Sequence, residues 1–380
     1  MTQTPIYLDH QATTPLDPAV REAMQPYWET RFGNPHAIDH SYGMDAARAV
    51  RHARAEVACF INADDDEIIL TSGATESCNL ALRGVAGRGR SGQRRRIVTV
   101  ATEHAAVHET ALALAGSADD TLVLPVGPTG TLDLDRLDAA LDGRTLLVSV
   151  MAANNEIGTL HPIPGIAERC RRAGVLLHTD ATQAAGRIPI DVEAWDVDLL
   201  SISAHKMYGP KGVGALFVRS GVEIAPMITG GGQERGLRSG TLATPLVVGF
   251  GAACALAREN LADDRDRMER LAARLLRSLR DSHPDMRLFG DTAHRLPGTL
   301  SVGFPGLPAT RVARRLAGAV AVGTGSACAS ARETPSRVLL ALGIDPETAS
   351  TALRISLGRF TTENEIDRAG ELFAAMAEAT

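Results

Sequence analysis

Apolar positions in this chain fall into short unbroken runs, separated by longer stretches of helical period. The runs lie at residues 68–70, 97–100, 122–126, 145–150, 175–179, 199–203 and 215–218. Alternation would mark strands with one wet face. Continuous runs mark strands buried on both faces of a mainly parallel sheet. Between them the period changes. Asp17 is a capping residue with Pro18 at the first helical position, which predicts a helix over 18–32 that Gly33-Asn34-Pro35 ends. A second helix is predicted over 45–60, a third from the turn at 71–76 to about residue 86, and another starting at Thr102-Glu103-His104. A long charged helical stretch over 246–279 leads into an α+β remainder with a Gly/Ala/Ser-rich loop at 323–331. This order predicts an α/β fold with a mainly parallel sheet in a large domain, 15–256. A smaller α+β domain is expected from 1–14 and 257–380.

Composition narrows the class. With 380 residues and 44% hydrophobic content the chain can bury a large core, and at 4% aromatics Ala, Leu and Val must fill it. A net charge of -6 offers no field for nucleic acid or anionic membrane, so no direct binding to either is expected. Arg94-Arg95-Arg96, beside Gly87, Gly89 and Gly92, reads as a solvated loop. The chain shows no signal peptide and no run of about 18 apolar residues, which predicts a cytoplasmic protein. The five cysteines are widely spaced with no C-x-x-C, which predicts reduced thiols and no structural zinc. Cys59, Cys78, Cys170 and Cys254 sit in helix-like patterns and read as inert and buried; Cys328 sits in the small-residue loop.

Polar residues gather where the apolar runs end. Thr75 follows one run, His104 another, Asn154-Asn155-Glu156 a third, Asp180 and Gln183 a fourth, and Ser203-His205-Lys206 a fifth. Ligands of an open parallel sheet bind outside the carboxyl ends of its strands. Lys206 and Lys211 are the only lysines among 39 basic residues. A lysine can lose its proton and attack a carbonyl, which arginine cannot. Each group alone has an ordinary explanation. Ser72-Gly73-Ala74-Thr75 is either a phosphate cradle or one more helix start. Asp180 is either a buried salt-bridge partner or the partner of a protonated ring nitrogen. His104 and His108 have the i, i+4 spacing of a metal pair, but no third ligand stands at a telling distance, so no metal is predicted. Together the groups suit pyridoxal 5'-phosphate, which needs an amine, a carboxylate at its ring nitrogen, a phosphate cup and a group on the ring face.

At this point the chain resembles the cysteine desulfurases, NifS/IscS-like enzymes of the aminotransferase class-V-like, fold-type-I pyridoxal-phosphate superfamily. The signatures run almost end to end. They include Tyr7-Leu8-Asp9 with Ala12-Thr13-Thr14-Pro15, Phe32-Gly33-Asn34-Pro35, Ala153-Asn154-Asn155-Glu156-Ile157-Gly158 and His178-Thr179-Asp180-Ala181. Further on come Ser203-Ala204-His205-Lys206, Gly231-Gly232-Gln233-Glu234-Arg235, Arg238-Ser239-Gly240-Thr241, Gly325-Ser326-Ala327-Cys328 and Arg354-Ile355-Ser356-Leu357. The resemblance implies that Lys206 bonds the cofactor and that His104 lies over its ring and assists proton transfer. Asp180 would hold the ring nitrogen, Gln183 the ring oxygen, and Asn155 would make a further contact. Thr75, Ser203 and His205 would bind the phosphate, with Thr241 reaching over from the second subunit of a homodimer. Asn34 and Arg354 would hold the carboxylate of L-cysteine, and Cys328 would take its sulfur as a persulfide, leaving L-alanine.

The sulfur would pass to an acceptor protein serving iron–sulfur cluster assembly, tRNA thiolation or sulfur modification of the DNA backbone. His10-Gln11, Gly323-Thr324 and the short stretch after Phe373 depart from the family pattern. The last of these leaves the acceptor open. An ordinary aminotransferase or lyase needs no cysteine in such a loop, and a non-catalytic scaffold needs no Lys206 with Asp180.

Overall fold

The computed structural model describes residues 4–89, 94–325 and 335–377. The apolar runs form one seven-stranded sheet in the spatial order Ile68–Thr71, Gly214–Val218, Leu199–Ser203, Leu176–Asp180, Thr145–Ser149, Arg96–Val100, Thr121–Leu124. Gly214–Val218 is antiparallel to both its neighbours, and the other pairs are parallel. The unbroken runs arise because both faces are covered. Val98, Val148, Leu200 and Phe217 enter one hydrophobic core, while their chain neighbours Ile97, Leu147, Leu199 and Leu216 enter the core on the opposite face. Each such side chain contributes about 1.5–3 kcal/mol by leaving water.

A second core gathers Leu8, Leu300, Leu353 and Phe373 around an antiparallel sheet of Arg287–Leu288, Thr299–Gly303 and Ala352–Ser356. The 39-residue helix Thr244–Ser282 joins the two. Its Val247, Phe250 and Cys254 pack into the first core, and its Leu271, Leu275 and Leu279 into the second. The chain start belongs to the second: Ile6–Tyr7 pairs in parallel with Val320–Ala321.

Several local expectations change. The predicted helix over 18–32 begins as expected, with Asp17 Oδ1 accepting the Ala19 N–H at 2.9 Å. It is then split into Pro18–Met24 and Pro26–Glu29, because Pro26 has no amide hydrogen to continue the ladder. The second helix, Ser41–Ile61, starts earlier than predicted because His40 Nδ1 caps it, accepting the Gly43 N–H at 3.1 Å. Arg96 is not in a solvated loop. It opens a strand, is buried, and donates from Nη1 to Asp142 Oδ2 at 2.8 Å. Arg94 donates to the carbonyls of Ala173 and Gly174. Cys78, Cys170 and Cys254 are buried, but Cys59 is exposed, because it falls on the side of its helix opposite the apolar stripe. Among the described residues, no helix is long and apolar enough to cross a membrane.

Candidate active site

A cavity of about 560 Å³ opens at the carboxyl ends of the parallel strands. Asp180 is the last residue of Leu176–Asp180 and Ser203 the last of the adjacent Leu199–Ser203. A single tight turn, Ala204–Lys206, then brings His205 and Lys206 to the cavity wall. Across it, Ser72 and Gly73 lead into the helix Ala74–Gly89. Gly73 has φ +146°, a conformation that favours glycine. Close packing demands a second glycine here: a methyl on Gly214 would lie 2.6 Å from Ile202 O and 2.8 Å from Gly73 Cα. Bare backbone at 73 and 214 is what lets these strand ends converge.

Lys206 Nζ donates to the carbonyls of Gln11 (2.5 Å) and Ala12 (2.9 Å). Burial, reinforced by the Arg354 guanidinium, lowers its pKa to about 8 against the opposing pull of Asp180 and Asp9. His104 caps the helix Ala105–Leu114, its Nδ1 accepting the Ala106 N–H at 3.1 Å. With Nδ1 accepting, the neutral ring carries its proton on Nε2, and burial lowers the pKa further from physiological pH. His205 Nδ1 lies 3.1 Å from Thr13 Oγ1. Its pKa falls to about 4 through burial, with Lys206 and Lys211 adding repulsion. Arg354, 3% exposed, donates from Nη2 to Asp9 Oδ1 at 2.8 Å and from Nη1 to the Asn155 carbonyl at 3.0 Å. Gln183 Nε2 donates to the Gln11 carbonyl at 3.1 Å, and Asp180 Oδ1 accepts the Thr182 N–H at 2.9 Å.

Thr75, His104, Asn155, Asp180, Gln183, Ser203, His205, Lys206 and Arg354 therefore line one cavity. Asn34 and Thr241 do not. Asn34 is exposed and its Oδ1 accepts the His36 N–H at 3.0 Å. Thr241 is exposed, in a loop that Arg238 fastens to Glu76 at 2.8 Å, one residue from Thr75. Cys328 lies outside the described residues.

Sequence reasoning missed the strap at residues 9–14. Asp9 holds Arg354, the Gln11 carbonyl holds Lys206 and Gln183, Thr13 meets His205, and Thr14 Oγ1 accepts the Tyr208 N–H at 2.8 Å. Asp9, Ala12, Thr13 and Thr14 stand in the family signatures, but nothing local says which distant residues they meet. Glu103 was missed as well. It is 1% exposed, its Oε1 accepts the Met151 N–H at 2.5 Å, and its Oε2 has no partner among the described residues. Burial and the charge of Asp180 push its pKa well up. A glutamate before a helix reads as solvated, so no sequence signal marks it. His178, behind Asp180, sits between Ser149 Oγ (2.8 Å) and Ser201 Oγ (2.9 Å), and burial lowers its pKa to about 4.

The cavity thus combines a neutralisable amine, a carboxylate, two neutral imidazoles, a buried guanidinium and a helix N-terminus. Comparison with known proteins agrees with that chemistry. The aminotransferase class-V family model matches residues 6–369. Cysteine desulfurase IscS of Rickettsia rickettsii is 47% identical over 373 residues, covering 98% of this chain and 90% of the relative. Among solved structures, a NifS-like protein superposes with a TM-score of 0.92 at 36% identity, covering 99% of this chain and all of its own. SspA, solved in complex with cysteine, gives a TM-score of 0.83 at 33% identity, covering 94% of this chain and 100% of its own. A nearly full-length match in sequence and in fold leaves no separate piece of the chain unaccounted for, and this protein belongs to the aminotransferase class-V family, on its cysteine desulfurase branch.

Proposed function

We propose that this chain converts L-cysteine to L-alanine with pyridoxal 5'-phosphate as cofactor, and hands the sulfur, carried as a persulfide on Cys328, to an acceptor protein. The observation that carries the reading is Lys206 beside Asp180. They stand at the ends of adjacent strands, in one cavity with Arg354, and the amine's pKa is lowered to about 8. The residues fit the cofactor. Lys206 supplies the amine and Asp180 the carboxylate for the ring nitrogen. Gln183 and Asn155 stand by for the ring substituents. Thr75, Ser203 and His205 would hold the phosphate at the start of the helix Ala74–Gly89, where unpaired N–H groups favour an anion. When bound, pyridoxal phosphate supplies the electron sink that loosens bonds at the substrate's α- and β-carbons.

The chain's own groups do the rest. Arg354 would hold the substrate carboxylate. The Lys206 amine moves the α-proton, and His104 offers the proton on Nε2. The Cys328 thiolate attacks the substrate sulfur; the new S–S bond forms as the bond from sulfur to the β-carbon breaks, and a proton replaces sulfur on that carbon. L-cysteine and a thiol give L-alanine and a persulfide, so no outside oxidant is needed. Residues 1–14 and 257–380 would form the smaller domain that carries the thiol.

We also propose a homodimer acting in the cytoplasm. Trp28, Phe32, Ile38, Tyr42 and Met44 are each more than half exposed on one segment, which supports a covering partner copy. Thr241 would enter the partner's phosphate site. The four described cysteines are free, as a reducing compartment allows. Incubating the purified protein with L-cysteine and a reductant tests the activity. Equal yields of sulfide and alanine are expected. Pyruvate or another keto acid in place of alanine would assign it to a lyase or an aminotransferase instead.

A further inference from the structure

The chain has two lysines, and the site described above uses one of them. The other, Lys211, lines the active-site cavity and also a second cavity of about 400 Å³. Thr13 is the other residue that the two cavities share. The strap therefore runs between them: Gln11 and Ala12 line the first cavity, His10 and Thr14 the second. On the first side the Gln11 and Ala12 carbonyls hold Lys206 Nζ. A molecule in the second cavity would be separated from the reacting groups by this strap.

Lys211 is exposed, and among the described residues its ammonium has no ion-pair or hydrogen-bond partner. It is the single cation on the wall of the second cavity, since burial and Arg187 lower the His10 pKa to about 4. Glu365 is the single carboxylate there. Its Oε2 accepts the N–H and the hydroxyl of Thr362, at 2.8 and 2.9 Å, which fixes the carboxylate at the start of the helix Glu363–Ala377. The two opposite charges share the cavity without pairing with each other. Tyr7 and Phe360 supply aromatic surface beside them. A cavity of this size suits a small molecule. One cation and one carboxylate suit a ligand with one charge of each sign, whereas a plain anion would meet Glu365 as a like charge.

We infer that the second cavity binds a free α-amino acid as its zwitterion, carboxylate on Lys211 and ammonium on Glu365, beside the cavity where the reaction takes place. The occupant is L-cysteine before entry or L-alanine after release. That identification rests on the desulfurase reading above; the zwitterion site rests on the cavity and its two charges.

The test is equilibrium dialysis of the cofactor-loaded enzyme against radiolabelled L-alanine. The cofactor's visible band, read in the same samples, reports occupancy of the first cavity. The unmutated enzyme should bind alanine beyond the amount that moves the band. Glu365→Gln keeps an oxygen for Thr362 and removes the charge. It should weaken this second binding at least about tenfold, the weight of one charge-assisted hydrogen bond, and leave the band's response to alanine as in the wild type. Lys211→Gln, at an exposed side chain without partners among the described residues, should weaken it as much, and decides the matter if Glu365→Gln does not fold. Propionate, which lacks the ammonium, should not displace the second alanine. In turnover, a higher KM for L-cysteine in Glu365→Gln at unchanged kcat assigns the cavity to incoming substrate. Weaker inhibition by L-alanine at unchanged KM assigns it to outgoing product. Alanine bound only in step with the band would overturn the proposal, as would wild-type binding in the variants or displacement by propionate. If the unmutated enzyme releases no alanine from L-cysteine, the desulfurase reading fails, while the dialysis still decides whether the zwitterion site exists.

Discussion

The pKa of Lys206 makes a prediction that needs no turnover. Only a neutral amine attacks the cofactor's aldehyde. With a pKa of about 8, roughly a quarter of the amine is neutral at pH 7.5; an ordinary lysine would have about one part in a thousand. Protein stripped of cofactor should therefore take up pyridoxal phosphate at a rate that rises about fiftyfold from pH 6 to pH 8. From pH 8 to pH 10 the rise should be only about twofold, because the amine is already half neutral at pH 8. Growth of the visible absorbance band under excess cofactor is the assay. Two variants should move the midpoint in opposite directions. Arg354→Gln removes a like charge and frees Asp9, and both changes raise the pKa of the amine. Asp9→Asn removes an opposite charge and frees Arg354, and both changes lower it. A loading rate that keeps climbing about tenfold per unit between pH 8 and pH 10 would show an ordinary lysine, and the argument from burial and Arg354 would be wrong.

Other outcomes follow from other parts of the molecule. Lys206→Ala should lack the visible band, whereas Cys328→Ser should keep it and release no alanine above background; a Cys328→Ser enzyme turning over near the wild-type rate sinks the assigned thiol. Glu234→Gln should lower the unfolding free energy by about 3 kcal/mol in urea titrations, because the buried carboxylate takes both Arg54 Nη groups (2.9 and 2.6 Å) and the Leu70 N–H (2.7 Å). A loss under about 1 kcal/mol would mean that the pair is near break-even. Thr241→Ala should weaken cofactor binding roughly fivefold in equilibrium dialysis, as expected for one hydroxyl on a phosphate. A monomer with full cofactor occupancy in sedimentation experiments would rule out a site shared between two copies.

The sheet was legible because its cause is local. A strand covered on both faces must be apolar at consecutive positions, and Leu199-Leu200 or Leu147-Val148 shows that without any knowledge of neighbours. The cavity residues were legible for a related reason: Asp180, Ser203 and Lys206 stand just where such runs end, and parallel strands bring their ends to one side. Caps and breaks were partly legible. Asp17 has a capping side chain of the common kind, while His40 does the same work with a ring nitrogen that composition does not flag.

What could not be read depends on which distant segments meet. Asp9 and Arg354 form a part-buried pair from opposite ends of the chain, and Glu156 meets Ser336 from 180 residues away. In a local window Asp9 is one residue of a family signature and Glu156 one more polar residue where an apolar run ends. Folding makes them costly, because a carboxylate that loses water must find donors or give up its charge. Asp9 finds a guanidinium, Glu156 finds a hydroxyl, and Glu103, with one oxygen unbonded among the described residues, has its pKa pushed well up. These three acids answer the same penalty differently. The charge Lys206 feels is therefore set by groups that no motif around Lys206 contains: Arg354 lowers its pKa, while Asp180 and Asp9 raise it.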